Sequence, residues 1–174
     1  MNMKKSFLII ILLIIAIGSF SSVQSTDKNI AFAIYLSQSK AGSEIPLSKL
    51  ELSEEPLITD KDIIEYRWNT HAIILSNQGA RKYNQLIKNR ERGRVFVIVA
   101  DGVRCYHGAF WQMILSASYP YPVILIDATA PNLIKIERAY PSEKFTKGKD
   151  PRADKRIYSA LKKTGKLREV DEVK

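Results

Sequence analysis

Six consecutive apolar residues, Val95 to Ala100, stand between Arg94 and the pair Asp101-Gly102. The run is short, bounded by a turn signal and rich in β-branched side chains, so it reads as a strand. Because both of its faces are apolar, it must be covered on both sides or lie centrally in its sheet. Asp101-Gly102 fits a type I′ turn, whose two central residues need positive φ, and Val103 to Tyr106 then returns as the partner strand. A chain of 174 residues with 45 % hydrophobic content allows one compact domain with a core of this kind and little more.

The rest of the chain supplies further strands and few helices. Ile30 to Leu36 alternates, with Ile30, Phe32, Ile34 and Leu36 on one side. Ser37 to Pro46 reads as a mobile connection, and Leu47, Leu50 and Leu52 define no element. Thr59 is placed to cap a short turn over Asp60 to Asp62. Ile63 to Trp68 and Ala72 to Leu75 form a strand-turn-strand unit around Asn69-Thr70-His71, with Asn69 as the left-handed or side-chain-bonded residue. Ser76 caps an amphipathic helix over Asn77 to Arg90, on which Ala80, Tyr83, Leu86 and Ile87 recur, and Gly93 is expected to stop it. Val123 to Ile126 is another apolar strand, and the prolines of Tyr119-Pro120-Tyr121-Pro122 suit an edge approach. Leu133, Ile134 and Ile136 extend the sheet. Ser142 to Asp150 reads as a linker, and Pro151 opens a thin helix over Arg152 to Thr164 that docks through Ile157, Tyr158 and Leu161, with Gly165 as its stop. The class expected is α+β: a mostly antiparallel sheet packed by one amphipathic helix, plus a C-terminal helix.

The first 25 residues follow a different logic. Lys4 and Lys5 precede the apolar run Phe7 to Ile17, and small polar residues follow from Gly18 to Ser25, the order of a secretory signal. Eleven apolar residues fall short of the ~18 to 20 that span a bilayer. Cleavage is expected before Thr26, with an earlier cut near Gly18 or an uncleaved anchor as the alternatives. The expected organisation is a signal over residues 1–25, an α+β domain over 26–140 and a basic linker with helix over 141–174. An extracytoplasmic location follows, secreted or held at the outer face of the inner membrane.

Removing the signal takes two lysines from a formal charge of +9 and leaves +7. The excess gathers in the tail and in a cluster of Arg81, Lys82, Lys88, Arg90, Arg92 and Arg94. A solvated surface explains both. Attraction to anionic lipid or wall polymer is the functional alternative. Arg92 to Val99 follows a basic-Gly-aromatic strand pattern of RNA-binding sheets, but Arg94 and Val99 occupy the stacking positions, and export separates the chain from nucleic acid.

Catalytic candidates are few. The lone Cys105 excludes an internal disulfide. Cys105 and His107 are two apart, so on a regular strand they share a face, as a thiolate-imidazole pair would require. They lack the further ligands that zinc needs unless His71 joins them. No cofactor motif stands out. Tyr66, Trp68, Trp111, Tyr119 and Tyr121 form either the core and its rim or, beside an unpaired edge of Val123 to Ile126, a surface to which an extended polypeptide adds as a strand.

The segment from His71 through Gly79-Ala80 to Tyr83, followed by Arg94 to Val103 with its Asp101-Gly102 ending, resembles the extracytoplasmic head region of the SecD subunit of the protein-export complex. The likeness runs from about Ile63 to Ala128 and rests on fold-making residues. The chain also resembles small exported bacterial proteins that share Tyr66-Arg-Trp-Asn-Thr-His71, the Asp-Gly turn and Gly108-Ala-Phe-Trp111. These resemblances imply an α+β sandwich of ferredoxin-like arrangement that handles extended polypeptide, without the multi-helix membrane domain of SecD. The function expected is thus an exported, non-catalytic binding or scaffolding domain at the cell envelope, with an extended polypeptide or an envelope protein as partner. An enzyme built on Cys105 and His107, and attachment to anionic surfaces through the basic helix and tail, are the alternatives.

Overall fold

A computed structural model of the chain describes residues 30–42, 46–89, 93–112, 117–146 and 148–169. The signal expected over residues 1–25, and Arg90 and Arg92 of the basic cluster, lie outside the described residues. No helix among the described residues is long and apolar enough to cross a membrane.

Among the described residues nine strands form one mixed sheet: β1 (Phe32–Lys40), β2 (Ile58–Thr59), β3 (Ile63–Arg67), β4 (Ala72–Leu75), β5 (Arg94–Ala100), β6 (Val103–Trp111), β7 (Val123–Leu125), β8 (Leu133–Glu137) and β9 (Leu167–Arg168). Their spatial order is β2-β1-β5-β6-β7-β8-β4-β3-β9. Helix α1 (Asn77–Lys88) connects β4 to β5, and α2 (Lys155–Lys163) precedes β9. The α+β class holds. The sheet contains two parallel pairs, β6 with β7 and β3 with β9, among otherwise antiparallel neighbours. The strands that flank α1 are separated by three others, where a ferredoxin-like split β-α-β unit would have one.

The apolar run occupies β5, and all six of its residues are buried. Phe96, Ile98 and Ala100 join Phe32 and Ile34 of β1, Phe110 of β6, Ile124 of β7, Ile134 and Ile136 of β8, and Ile73 and Leu75 of β4 in a single cluster. Both helices bury their stripes in it, Tyr83 and Leu86 from α1, and Ile157, Ala160 and Leu161 from α2. The sheet therefore curls as a half-barrel around two helices. Its other face is covered where Val95, Val97 and Val99 meet Leu50, with Tyr35, Leu47 and Leu52 at the margin. Burial of each large apolar side chain stabilises by ~1.5 to 3 kcal/mol, so a run buried on both faces anchors the domain twice.

Local chemistry explains most boundaries. The Ser76 hydroxyl accepts from the Gly79 amide and starts α1. Asp101 and Gly102 have φ of 44° and 77°, as the type I′ turn requires. Thr59 and Asp62 form a capping box around a 3-10 turn, with the Asp62 carboxylate accepting from the Thr59 amide at 3.0 Å.

Several expectations need correction. The segment after Leu36 continues as strand to Lys40 instead of breaking into a connection. At the β3–β4 turn the left-handed residue is His71, with φ 49°, and not Asn69. Helix α1 ends at Lys88 with Asn89 as its C-cap, and Gly93 instead precedes β5, donating to the Phe110 carbonyl. The C-terminal helix begins at Lys155, capped by Asp154, after a separate 3-10 turn over Pro151–Ala153. β7 is not an edge. It pairs with β6 through Ala109–Val123 and with β8 through Ile124–Ile136. The true edges are β2 and β9, two residues each, a length that offers little template for strand addition.

Candidate functional site

β6 is longer than its parallel neighbour. β7 first pairs at Val123, opposite Ala109, so the residues of β6 before Gly108 have no strand beside them on that side. The chain reaches β7 through Pro120 and Pro122, which have no N–H to offer a ladder. At Gly108 the Pro122 carbonyl closes tightly over the backbone, and the Ala109 amide donates to it at 3.0 Å. Before that point a cleft of about 210 Å³ opens, lined by Tyr106, His107, Tyr121, Arg138, Thr146 and Lys149 together with three prolines.

Two residues of this lining also carry polar atoms buried within the protein. The Tyr106 hydroxyl and His107 Nδ1 are buried and have no hydrogen-bond partner. Such an atom costs about 1 to 3 kcal/mol. Burial pushes the Tyr106 hydroxyl well above its ordinary range and lowers the His107 imidazole, so both are neutral near pH 7. Arg138 donates to the Gly148 carbonyl at 3.0 Å and lies 3.9 Å from Asp150. Lys149 is exposed and makes no ion pair among the described residues.

Behind the cleft is a buried ionic network. Arg152, 6 % exposed, donates to both oxygens of Asp150, to Glu143 and to the Ile136 carbonyl. Desolvation raises the Asp150 carboxyl, but hydrogen bonds from Arg152 outweigh it and hold the group below the usual range. His71 is also buried, at the β3–β4 turn, with Nδ1 3.1 Å from the Tyr66 hydroxyl. Burial first and Arg152 second depress His71 to about 4, against the pull of Asp150, Glu143 and Glu137. Since burial also raises the Tyr66 hydroxyl, the phenol donates and the neutral imidazole accepts.

That depression sets a pH dependence. The unfolded histidine, near 6.5, takes up a proton that the folded one refuses until about 4. The stabilising contribution is therefore complete above pH 6.5 and is lost as pH falls toward 4. Urea unfolding should show a loss of roughly 2 kcal/mol between pH 7 and pH 5 from this group. His71→Asn, which tolerates the left-handed backbone, should lose markedly less over the same interval, with His107 providing the remainder. Equal losses in the two proteins would exclude His71 as the source.

The aromatic residues expected to share a surface separate into two groups. Tyr66 is buried against Phe32 and His71, and Trp68 packs edge-on over Tyr158 at 5.1 Å. Trp111 and Tyr119 are buried and stacked at 5.1 Å. Of these five Tyr121 is the most exposed, at 43 %, and it tilts over His107 at 5.8 Å, while Trp68 is half-buried. Three members of the basic cluster lie on α1. Lys82 donates to buried Asp62 at 2.8 Å, while Arg81 and Lys88 are exposed.

Cys105 and His107 do not form a pair. The register of β5 with β6 shifts between Ile98 and Val99, so Cys105 bulges and packs against the core cluster. His107 lies opposite Val97, whose side chain belongs to the other face. Burial raises the Cys105 thiol, with Asp154 acting in the same direction, away from a reactive thiolate. No group of three or more His, Cys, Asp or Glu side chains could hold a metal among the described residues.

Sequence patterns single out His107, Tyr121 and, among the clustered aromatic residues, Tyr106, but miss Arg138, Lys149 and Arg152. The available signal was the Pro-Tyr-Pro approach, which cannot complete a ladder, together with Asp150-Pro151-Arg152, where the aspartate accepts from the Arg152 amide at 3.0 Å. Comparison with models of protein families, with curated proteins and with solved structures finds no match.

Proposed function

We propose that this chain is an extracytoplasmic, non-catalytic binding domain that takes its ligand in the cleft beside β6. One observation carries the reading: a cleft opens beside the stretch of β6 that has no neighbouring strand, and it bears two cations and an exposed aromatic ring. The signal-like N-terminus and the likeness to the SecD head support the envelope setting. Addition of a polypeptide strand beside Val123 to Ile126 is set aside, because β7 is paired on both sides. The split of Cys105 from His107 removes the geometry on which the enzymatic alternative relied.

A photo-crosslinking residue placed at Tyr121 in intact cells should give an adduct in the envelope fraction. The same residue at Val103, exposed at the β5–β6 turn, should give none. Adducts from neither site, or equally from both, would refute the cleft as the place of binding.

A further inference from the structure

Four large apolar side chains stand exposed among the described residues: Ile64, Val103, Tyr121 and Phe145. Ile64 and Val103 lie in segments without an excess of cations, Asp60 to Glu65 and Asp101 to Arg104. The other two belong to one opening. Tyr121 lines the cleft beside β6, and Phe145, 47 % exposed, is joined to Thr146 of the same lining. We propose that the rim of this cleft docks on an anionic lipid surface, with Phe145 and Tyr121 entering the interface and Lys144 and Lys149 meeting the headgroups. The inference rests on the envelope setting proposed above and not on what the cleft itself holds.

Both rings stand on rigid supports. Tyr121 sits between Pro120 and Pro122, and Phe145 ends a 3-10 turn in which its amide donates to the Ser142 carbonyl at 3.1 Å. Arg152 holds that turn through Glu143 at 3.2 Å, and Arg138 holds the following segment through the Gly148 carbonyl at 3.0 Å. A large apolar ring fixed in water forgoes the stabilisation of burial until a partner covers it.

The charge around the rings has one sign. Residues 138–152 carry five cations and two carboxylates, and both carboxylates, Glu143 and Asp150, are engaged by Arg152. Lys144 and Lys149 are exposed. A bilayer surface needs no enclosed site: it takes cations among its headgroups and aromatic rings at the boundary with its acyl chains. A soluble polyanion would engage the lysines but offer nothing apolar to the rings. The basic face of α1 fits a bilayer less well, since that helix exposes no large apolar side chain beside Arg81 and Lys88, and Asp62 holds Lys82.

The test reads residue 145 itself in the chain purified from the envelope, so that an N-terminal anchor, if retained, does not supply the signal. Phe145→Trp, measured as the difference from the unsubstituted chain, should shift its emission to the blue with vesicles of phosphatidylglycerol mixed equally with phosphatidylcholine. Bromine on the acyl chains should quench it. Vesicles of phosphatidylcholine alone should do neither, and Ile64→Trp should respond to no vesicle. In the Phe145→Trp chain, Lys144→Gln/Lys149→Gln should raise the lipid concentration for half the shift about tenfold or more, and Tyr121→Ser severalfold. These changes lie at exposed side chains. No shift at residue 145 with either vesicle, or equal quenching at 145 and 64, would overturn the proposal. Cosedimentation that depends on the two lysines without quenching at 145 would identify a polyanion-binding surface and overturn it as well. If Tyr121 crosslinks an envelope protein in cells while residue 145 stays in water, the cleft reading stands and this inference alone fails.

Discussion

Replacing Gly108 by alanine is expected to destabilise the domain by about 3 kcal/mol or more, one of the largest effects of any single methyl group in this chain. Gly108 faces Phe96 across the β5–β6 ladder, and a Cβ there would meet Phe96 Cζ and the Pro122 carbonyl oxygen well inside van der Waals contact. Neither neighbour can retreat easily. Phe96 is fully buried and packs edge-on against Phe110 at 5.6 Å, and the Pro122 carbonyl is the acceptor that begins the parallel pairing with β7. The variant should therefore show a lower urea midpoint and an altered cleft. Gly102→Ala provides the comparison: its Cβ would meet nothing, so its smaller cost should reflect the positive φ alone. A Gly108→Ala chain as stable as wild type would mean that β6 and β7 do not approach as described.

The second large effect concerns Arg152. Arg152→Met keeps an apolar stem but removes the guanidinium from Asp150, Glu143 and the Ile136 carbonyl, and should cost about 3 to 5 kcal/mol in equilibrium unfolding. The cost comes chiefly from stranding the partners. The Ile136 carbonyl lies in a buried contact at 2.8 Å and would have no replacement donor. Arg152→Lys should recover only a minor part, because an ammonium cannot serve Asp150 through a bidentate fork while also reaching the carbonyl. Adding Asp150→Asn to Arg152→Met should restore part of the stability by neutralising the stranded carboxylate. If the single variant unfolds with the wild-type midpoint, the network does not join the 3-10 turn to the sheet.

Elements determined by neighbours in the chain were readable from it. The Ser76 cap, the Asp101-Gly102 turn and the Thr59–Asp62 capping box need contacts within three residues, so their chemistry is written locally. The alternation of β1 and the double-sided run of β5 likewise record which faces must leave water. Errors arose where a distant partner decided. Prolines before Val123 exclude a ladder for the residues they occupy, but they could not show that β8 would close the far side of β7. Cys105 and His107 have strand spacing, and the bulge that separates them arises in the pairing with β5. Lys82 resembles a surface cation until Asp62, twenty residues away, is placed beneath it.

The cleft shows the same division. Tyr106, Arg138 and Lys149 lie far apart along the chain and share no spacing that a pattern could register. They meet because β7 starts late, Gly108 admits the Pro122 carbonyl and Arg152 fastens the tail to β8. By itself, the order of residues determined most strand and helix types, the Ser76 cap, the Asp101-Gly102 turn and the need for a layer on each face of β5, because periodicity and backbone preference act over a few residues. The tertiary structure alone decided the strand order, the interior position of β7 and the meeting of β6, Arg138 and Lys149 around one cleft, because these depend on which distant surfaces bury each other.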